Sequence, residues 1–141
     1  MASRRVKVVV ASLGNFLDLI VKKVVLDIVA NLRAAPSEGG TPVDTGWARA
    51  NWVVKIGSPV RYPAGTREAA EAGAIPTDSQ ESTATFAATY TLKRDGRIYI
   101  SNPVRYITKL NEGSSKQAPA GFVEAAIAKA IFEDLPKGLN R

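Results

Sequence analysis

The chain has 141 residues, 45% of them hydrophobic and 23% charged, and its 19 basic and 13 acidic side chains give a net charge of +6. This size and composition predict one globular domain over residues 1–141. Cysteine and histidine are both absent, which excludes disulfides, cysteine nucleophiles, Ser-His-Asp triads and the usual zinc sites. The positive charge favours an anionic neighbour, which is a nucleic acid, a membrane surface or an acidic protein.

The first eleven residues combine Arg4, Arg5 and Lys7 with alternating valines. This pattern predicts a mobile arm or a short edge strand over 1–11. The apolar run that follows is too short to span a membrane, and no cleavage pattern comes after it. We therefore expect a soluble protein with no targeting signal and no membrane partner.

A broad apolar stripe predicts a long helix from Ser12, as N-cap, to about Ala34, before Pro36. The stripe consists of Leu13, Phe16, Leu17, Ile20, Val21, Val24, Val25, Ile28, Val29 and Leu32. Two interpretations stay open, because such a stripe is either wholly buried in the core or shared between the core and a partner subunit.

The middle of the chain contains a strand between two loops. Residues 36–42 are a loop by composition, and Asp44 or Thr45 is placed to cap a short turn that ends at Ala50. The alternation of apolar residues predicts a strand over 51–57, with Trp52, Val54 and Ile56 on one face. The proline- and glycine-rich stretch 58–77 reads as a long exposed excursion with one helical turn at 67–72.

The second half predicts two further helices and a strand. Thr77 and Gln80 have capping-box spacing and favour a helix over 78–90, with a hairpin turning at 95–96 as the alternative. A strand follows at 97–101, then helical turns over 104–110 that end at Gly113, and a last helix over 120–135 with Pro119 in its first turn. The fold class is therefore α+β, a small antiparallel sheet packed by a long N-terminal helix and a C-terminal helix, with a long inserted loop.

Three segments are too specific in residue type and spacing to be generic loops. They are TPVDTG at 41–46, followed by Arg49, Asn51 and Trp52; ISNPV at 100–104, followed by Tyr106; and LNEGSSKQAPAGF at 110–122. With the preceding long helix, their order resembles the tail-completion family of long-tailed bacteriophages, the lambdoid minor tail components at the head–tail joint. The resemblance runs from about residue 13 to 133, and the chain departs from it in the longer 58–77 excursion and the bulky Trp47.

The resemblance implies a structural virion protein of the neck, assembled in the host cytoplasm and without catalytic residues. It implies a ring of identical subunits, six in number, between the head connector or stopper proteins and the tail tube or its terminator. Genome DNA would pass through the channel of the ring. The nearest alternative is the tail terminator itself, a ring that stops growth of the tail tube.

The apolar stripe over 16–32 and the 58–77 excursion are the candidates for subunit contacts in such a ring. Arg49 is placed to pair with Asp44 or Glu112, either as a subunit contact or as a lock within the chain. The full set of interface candidates is Phe16, Ile20, Val24, Ile28, Asp44, Arg49, Trp52, Arg61, Tyr62, Arg67 and Glu112.

Basic residues crowd one interval of the chain, with tyrosines between them. The candidates for contact with DNA phosphate or another anion are Lys93, Arg94, Arg97, Arg105, Lys109, Lys116 and Gln117. The loop at 113–119 has the small residues of an anion site but lacks the spacing of a P-loop. A solvated basic face explains the same pattern, and contacts with DNA would be to phosphate, without base reading.

Two other classes of function stay open beside the ring. The chain reads as a basic, non-sequence-specific DNA-binding accessory protein, although no known DNA-binding motif is recognisable. An enzyme that uses Asp44 with Glu112, or Ser115 with Lys116, is the weakest hypothesis, since neither pair lies in a catalytic motif. We expect no cofactor and no metal.

Overall fold

The computed structural model describes the backbone of residues 4–43 and 46–134 and the side chains of 13–43 and 46–134. The fold is α+β, as predicted: a two-stranded antiparallel sheet is packed by a long N-terminal helix and a C-terminal helix. The elements in chain order are α1 (Arg4–Arg33), a 3-10 turn (Pro36–Glu38), α2 (Trp47–Ala50), β1 (Val53–Ile56), α3 (Arg67–Glu71), α4 (Thr77–Thr89), β2 (Ile98–Ser101), α5 (Ile107–Asn111) and α6 (Phe122–Asp134).

Helix α1 has 30 residues and is therefore about 45 Å long. It begins at Arg4, so the predicted arm or strand is wrong for residues 4–11, and Ser12 lies inside the helix rather than at its N-cap. Neither glycine nor proline interrupts residues 4–13, and extending an existing helix costs far less than starting one. Residues 1–3 lie outside the described part of the chain.

The first core cluster lies between α1 and α6, which run antiparallel. The amide of Asn31 donates to the carbonyl of Ala126 at 3.1 Å, and Lys23 pairs with Asp134 at 2.9 Å, eight residues along each helix. The cluster along this helix pair consists of the buried side chains Ile28, Leu32, Trp52, Ala118, Phe122, Ala126 and Ala130. Because Phe122, Ala126 and Ala130 repeat every four residues, α6 buries a single narrow stripe.

The second core cluster lies between α1, α4 and the sheet. It contains Val25 and Val29 from α1, Val54 from β1, and Phe86 and Tyr90, whose ring centroids lie 5.1 Å apart. Strand β1 pairs with β2 so that Val54 faces Ile100 and Ile56 faces Ile98. These four side chains share the face that packs on the cluster, which confirms the predicted alternation in both strands.

The helix predicted over 78–90 is confirmed as α4, against the hairpin alternative. Its capping box is not formed: the residue before the helix is Pro76, and the Gln80 side chain donates to the carbonyl of Ile75 at 2.8 Å. Helix α6 begins at Phe122, so Pro119 precedes the helix instead of lying in its first turn. Gly113 ends α5 with φ +95°, as predicted.

The 58–77 excursion is mostly exposed, and its predicted helical turn is α3. The Thr66 hydroxyl caps α3 by accepting from the N–H of Ala69 at 3.2 Å. The backbone N–H of Val60 donates to the Ser101 hydroxyl at 3.1 Å, which ties the start of the excursion to β2.

Candidate interaction surfaces

The first motif segment binds the end of α1 to the sheet. Thr41 is fully buried; its hydroxyl donates to the carbonyl of Leu32 at 2.7 Å and accepts from the indole N–H of Trp52 at 2.8 Å. Its own N–H also donates to the Leu32 carbonyl, at 3.0 Å. Thr41 therefore provides hydrogen-bond partners both for a carbonyl at the end of α1 and for the buried indole N–H of Trp52.

Two arginines extend this network. The Arg33 guanidinium donates to the Trp52 carbonyl at 2.7 Å, and the Arg49 Nε donates to the Arg33 carbonyl at 2.5 Å. Arg49 forms no ion pair with Glu112 among the described residues, so that predicted pair is wrong, and Asp44 lies outside the described part of the chain. Arg49 acts instead as a C-terminal cap for α1.

Asn51 joins α2 to the excursion. Its side-chain amide donates to the carbonyl of Trp47 at 2.9 Å, and its side-chain oxygen accepts from the N–H of Ala64 at 2.8 Å. The Arg67 guanidinium lies 5.7 Å from the centre of the Trp47 ring, a cation–π distance. The bulky Trp47 therefore packs with α3, the helix of the long excursion.

The second motif segment is tied to α2 by Asn102. The Asn102 amide donates to the Ala48 carbonyl at 2.7 Å, and its side-chain oxygen accepts from the N–H of Val104 at 3.1 Å. The asparagine thus shapes the turn after β2 and fixes it against the short helix.

The third motif segment is held by two amide side chains. Gln117 pairs with the backbone of Val43 through both of its amide atoms, at 2.8 and 2.6 Å. Asn111 accepts from the Val123 N–H at 3.0 Å and donates to the Glu124 carboxylate, which lowers the pKa of Glu124. The prediction of Gln117 as an anion-binding donor is corrected, since its amide is used within the chain.

The three motif segments are held by bonds within the chain. The side chains of Thr41, Asn102 and Gln117 bond to backbone groups elsewhere in the same chain. The lock through Arg49 and Glu112 is not formed among the described residues, and the subunit contact stays a prediction. The predicted interface residue Trp52 is also core, with 5% of its surface exposed.

The apolar stripe of α1 is buried in its second half and exposed in its first. Leu32 is 1% exposed, whereas Leu13 is 56% and Phe16 50% exposed, with Leu17 and Leu19 also open. Of the other interface candidates on this helix, Ile20 and Val24 are half-buried, while Ile28 lies in the core, which corrects its assignment. The stripe is thus shared between the core and a surface, which we call the α1 patch (Leu13, Phe16 and Leu17).

The remaining interface candidates are open to solvent. Arg61, Arg67 and Glu112 are exposed, and Tyr62 is the most exposed large apolar side chain among the described residues, at 80%. On α6, Ile127 and Ile131 of the predicted stripe are also exposed, because α1 covers only the narrower stripe.

Five of the predicted anion contacts are exposed, and we call them together the basic surface. Their side chains are exposed and join no ion pair among the described residues, and they are Lys93, Arg97, Arg105, Lys109 and Lys116. Arg94 is different, because it pairs with Asp95 at 3.0 Å and donates to the Thr89 carbonyl, so that its charge is partly used locally. This pairing lowers the pKa of Asp95.

An ion-pair cluster marks the boundary between the buried and exposed halves of α1. Lys23 contacts Asp27 at 2.7 Å and Asp134 at 2.9 Å. Hydrogen bonding to Lys23 lowers the pKa of Asp27, whereas burial raises the pKa of Asp134, whose side chain is 3% exposed. One turn and a half earlier, the Asp18 carboxylate accepts from the N–H of Leu92 at 2.7 Å. The sequence pattern carried no signal for these long-range ties.

Of the two proposed catalytic pairs, only Ser115 with Lys116 lies in the described structure, since Asp44 is outside it. The Ser115 hydroxyl accepts from the N–H of Gln117 at 3.1 Å and makes no bond with Lys116. The described side chains contain no cluster of acidic groups able to hold a metal ion. Among the described helices, none has the length and hydropathy needed to cross a membrane.

No family model, no curated protein and no solved structure matches this chain.

Proposed function

We propose that this protein is a structural subunit of a homo-oligomeric ring at the head–tail joint of a long-tailed bacteriophage, located in the virion neck. The observation that carries the proposal is the α1 patch, in which the stripe that builds the core continues as an exposed surface. Three large apolar side chains grouped on one face of a helix are typical of a protein contact rather than of free surface.

A structural role is supported by the contrast between polar motif residues, which bond within the chain, and the surfaces that stay exposed. The polar motif residues Thr41, Asn51, Asn102, Asn111 and Gln117 hold loops within the chain. What they leave open is an apolar patch, an exposed excursion and a basic surface, which suit contacts with macromolecules. In the proposed ring, the partners are identical subunits, head connector or stopper proteins, and the tail tube or its terminator.

The basic surface suits the lining of a DNA channel. Lys93, Arg97 and Lys109 are exposed cations without partners among the described residues. Contacts of such side chains with passing phosphate depend on salt and do not read sequence. The same surface supports the second candidate function, a basic DNA-binding accessory protein.

Electron microscopy of lysates from the parent phage with this gene disrupted tests the proposal. DNA-filled heads beside separate tails of normal length are the expected result for a joining ring. Tails of uncontrolled length would assign the protein to termination. Intact infectious particles would overturn the ring proposal.

Duplex binding by the isolated protein distinguishes the DNA-binding alternative. A K93A/R97A/K109A variant should lose affinity, with a shallower dependence on salt, if DNA binding is the main function. In the ring proposal, the same variant still joins heads to tails, since phosphate contacts in the channel do not hold the particle together.

A further inference from the structure

Helix α6 has an exposed stripe beside the one that it buries. Glu124, Ile127, Ala128 and Ile131 are all exposed, and the spacing i, i+3, i+4, i+7 places them on one face of the helix. The stripe that packs on α1 lies on a neighbouring face. We call the four exposed residues the α6 outer stripe. Its two isoleucines, 37% and 39% exposed, stand on either side of a small alanine.

The α1 patch has the same spacing and larger side chains. Leu13, Phe16 and Leu17 are followed at i+7 by the half-buried Ile20. Helix faces of this kind pack when the ridge of one helix enters the groove of the other. Because Ala128 leaves space between its two isoleucines, the α6 outer stripe can receive a large side chain. The two surfaces are therefore complementary in size.

One chain cannot bring these two surfaces together. The ion pair of Lys23 with Asp134 places Ala128, six residues earlier on the antiparallel helix, alongside about residue 29 of α1. Leu17 lies about twelve residues, or roughly 18 Å, further along α1. The α1 patch therefore reaches the α6 outer stripe only of another copy.

The charges at the ends of the two surfaces are opposite. Residues 4–17 of α1 contain three basic residues and no acidic one. Helix α6 contains three acidic residues and one basic residue, and the exposed Glu133 at its C-terminal end joins no ion pair among the described residues. An antiparallel packing brings the basic start of α1 to the acidic end of α6. It also sets the positive end of one helix dipole beside the negative end of the other.

We propose that the α1 patch of one copy packs antiparallel on the α6 outer stripe of the next copy, with Phe16 and Leu17 against Ala128. This inference rests on the proposed ring and names its subunit contact. Because α1 and α6 are antiparallel within one chain, the contact makes the α1 helices of neighbouring copies parallel. Rotation about an axis along the helices produces this arrangement, and the contact joins two different surfaces, as a cyclic ring requires.

Disulfide cross-linking in purified particles of the parent phage tests the contact, and the absence of native cysteine gives a clean background. A Leu17→Cys/Ala128→Cys chain cannot close a disulfide on itself, because a disulfide allows at most about 7 Å between the Cα atoms. Oxidised particles should give a ladder of linked chains that ends at the full ring. Leu17→Cys/Lys109→Cys, with its second cysteine at another exposed site, is the matched control and should give no ladder.

The outcomes separate the contact from the ring. Particles that contain the double-cysteine chain but give no linked chains overturn the contact and leave the ring standing, as when a different virion protein covers the α1 patch. A product that stops at the dimer would show a two-fold contact and also overturn the proposal. Particles that lack the unsubstituted protein overturn the proposed function itself.

A charge exchange between the two surfaces gives a second test. Ala128→Arg should lower incorporation into particles by about tenfold or more, because its guanidinium would be buried against the α1 patch without a partner. Leu17→Glu should do the same, and the double variant should recover much of the loss, since the two charges then face each other.

The control for the charge exchange is Ala88→Arg, at an exposed site on α4, which should be incorporated normally. All of these side chains are exposed in the single chain, so each purified variant should still unfold cooperatively. Normal incorporation of Ala128→Arg, or a double variant no better than either single one, would contradict the contact.

Discussion

The two halves of α1 have the same apolar spacing and opposite surroundings. From Lys23 to Arg33 the stripe faces α6, α4 and the sheet, and Val29 and Leu32 are almost completely buried. From Leu13 to Leu17 the same stripe is open to solvent among the described residues. Periodicity thus specifies which face of a helix is apolar, but the extent of the remaining chain decides how much of that face is covered.

A matched pair of leucines gives the sharpest test of this contrast. Leu32→Ala should lower the free energy of unfolding by about 2–5 kcal/mol, because it leaves a cavity in the core. Leu13→Ala removes the same atoms from an exposed site and should change stability by less than about 0.5 kcal/mol. Chemical denaturation of both variants measures the difference, and equal losses would show that the halves are not distinct.

The hydrogen bonds of Thr41 at the end of the buried half of α1 give the next largest expected effect on the free energy of unfolding. Thr41→Val keeps the shape of the side chain but leaves the indole N–H of Trp52 without its acceptor and removes one bond to the Leu32 carbonyl. We expect a loss of about 1–3 kcal/mol in unfolding free energy. Thr41→Ser, which keeps the hydroxyl, is the control and should recover much of the stability.

The ion-pair cluster of Lys23, Asp27 and Asp134 predicts a loss of stability that depends on pH. Lys23→Ala removes the cation that lowers the pKa of Asp27 and offsets the buried charge of Asp134, so it should destabilise more than Asp134→Asn does. The loss is fully present when both carboxylates are charged. It should shrink as pH falls, first when Asp134, whose pKa burial raises, takes up a proton and then when Asp27, whose pKa is lowered by Lys23, does so, because neutral carboxyl groups no longer need Lys23. Thermal unfolding of both variants between neutral and acidic pH measures this, and a loss independent of pH would contradict it.

A substitution in the exposed half of α1 should have the smallest effect on stability. It should instead change the assembly of the protein into particles. Phe16→Ser should leave the unfolding free energy within about 0.5 kcal/mol of the parent. It should reduce incorporation of the protein into particles, because it removes the largest apolar group of the α1 patch. Quantitative blotting of purified particles measures this. Phe86→Ser, on a buried ring, is the opposite control and should destabilise the fold.

The sequence pattern predicted the type of each element better than its ends. Alternation identified both strands, since Val54, Ile56, Ile98 and Ile100 share the face that packs on the second core cluster, and alanine content identified α4 against the hairpin. The start of α1 was missed because alternating valines over 6–10 fit a strand as well as a helix. The capping box was wrong because Pro76, and not Thr77, precedes the first turn of α4.

The candidate site was predictable only in part. Exposed cations and the apolar α1 stripe follow from local sequence, yet Ile28 and Trp52 proved to be core, since burial depends on α6 and on residues far along the chain. The pairing of Gln117 with Val43 joins segments 74 residues apart, and so local spacing did not reveal it. The same holds for Lys23 with Asp134.

The length of α1 has a consequence for how such a subunit tolerates change. An inserted residue between Leu17 and Asp18 would rotate the outer stripe by about 100° and leave the inner stripe, and the bond of Asp18 to Leu92, in place. Seven inserted residues would return the outer stripe to within about 20° of its original direction and carry it roughly 10 Å further from the sheet. The outer half of this helix is therefore an adjustable spacer, whose length can drift in steps of two turns without any repacking of the domain behind it.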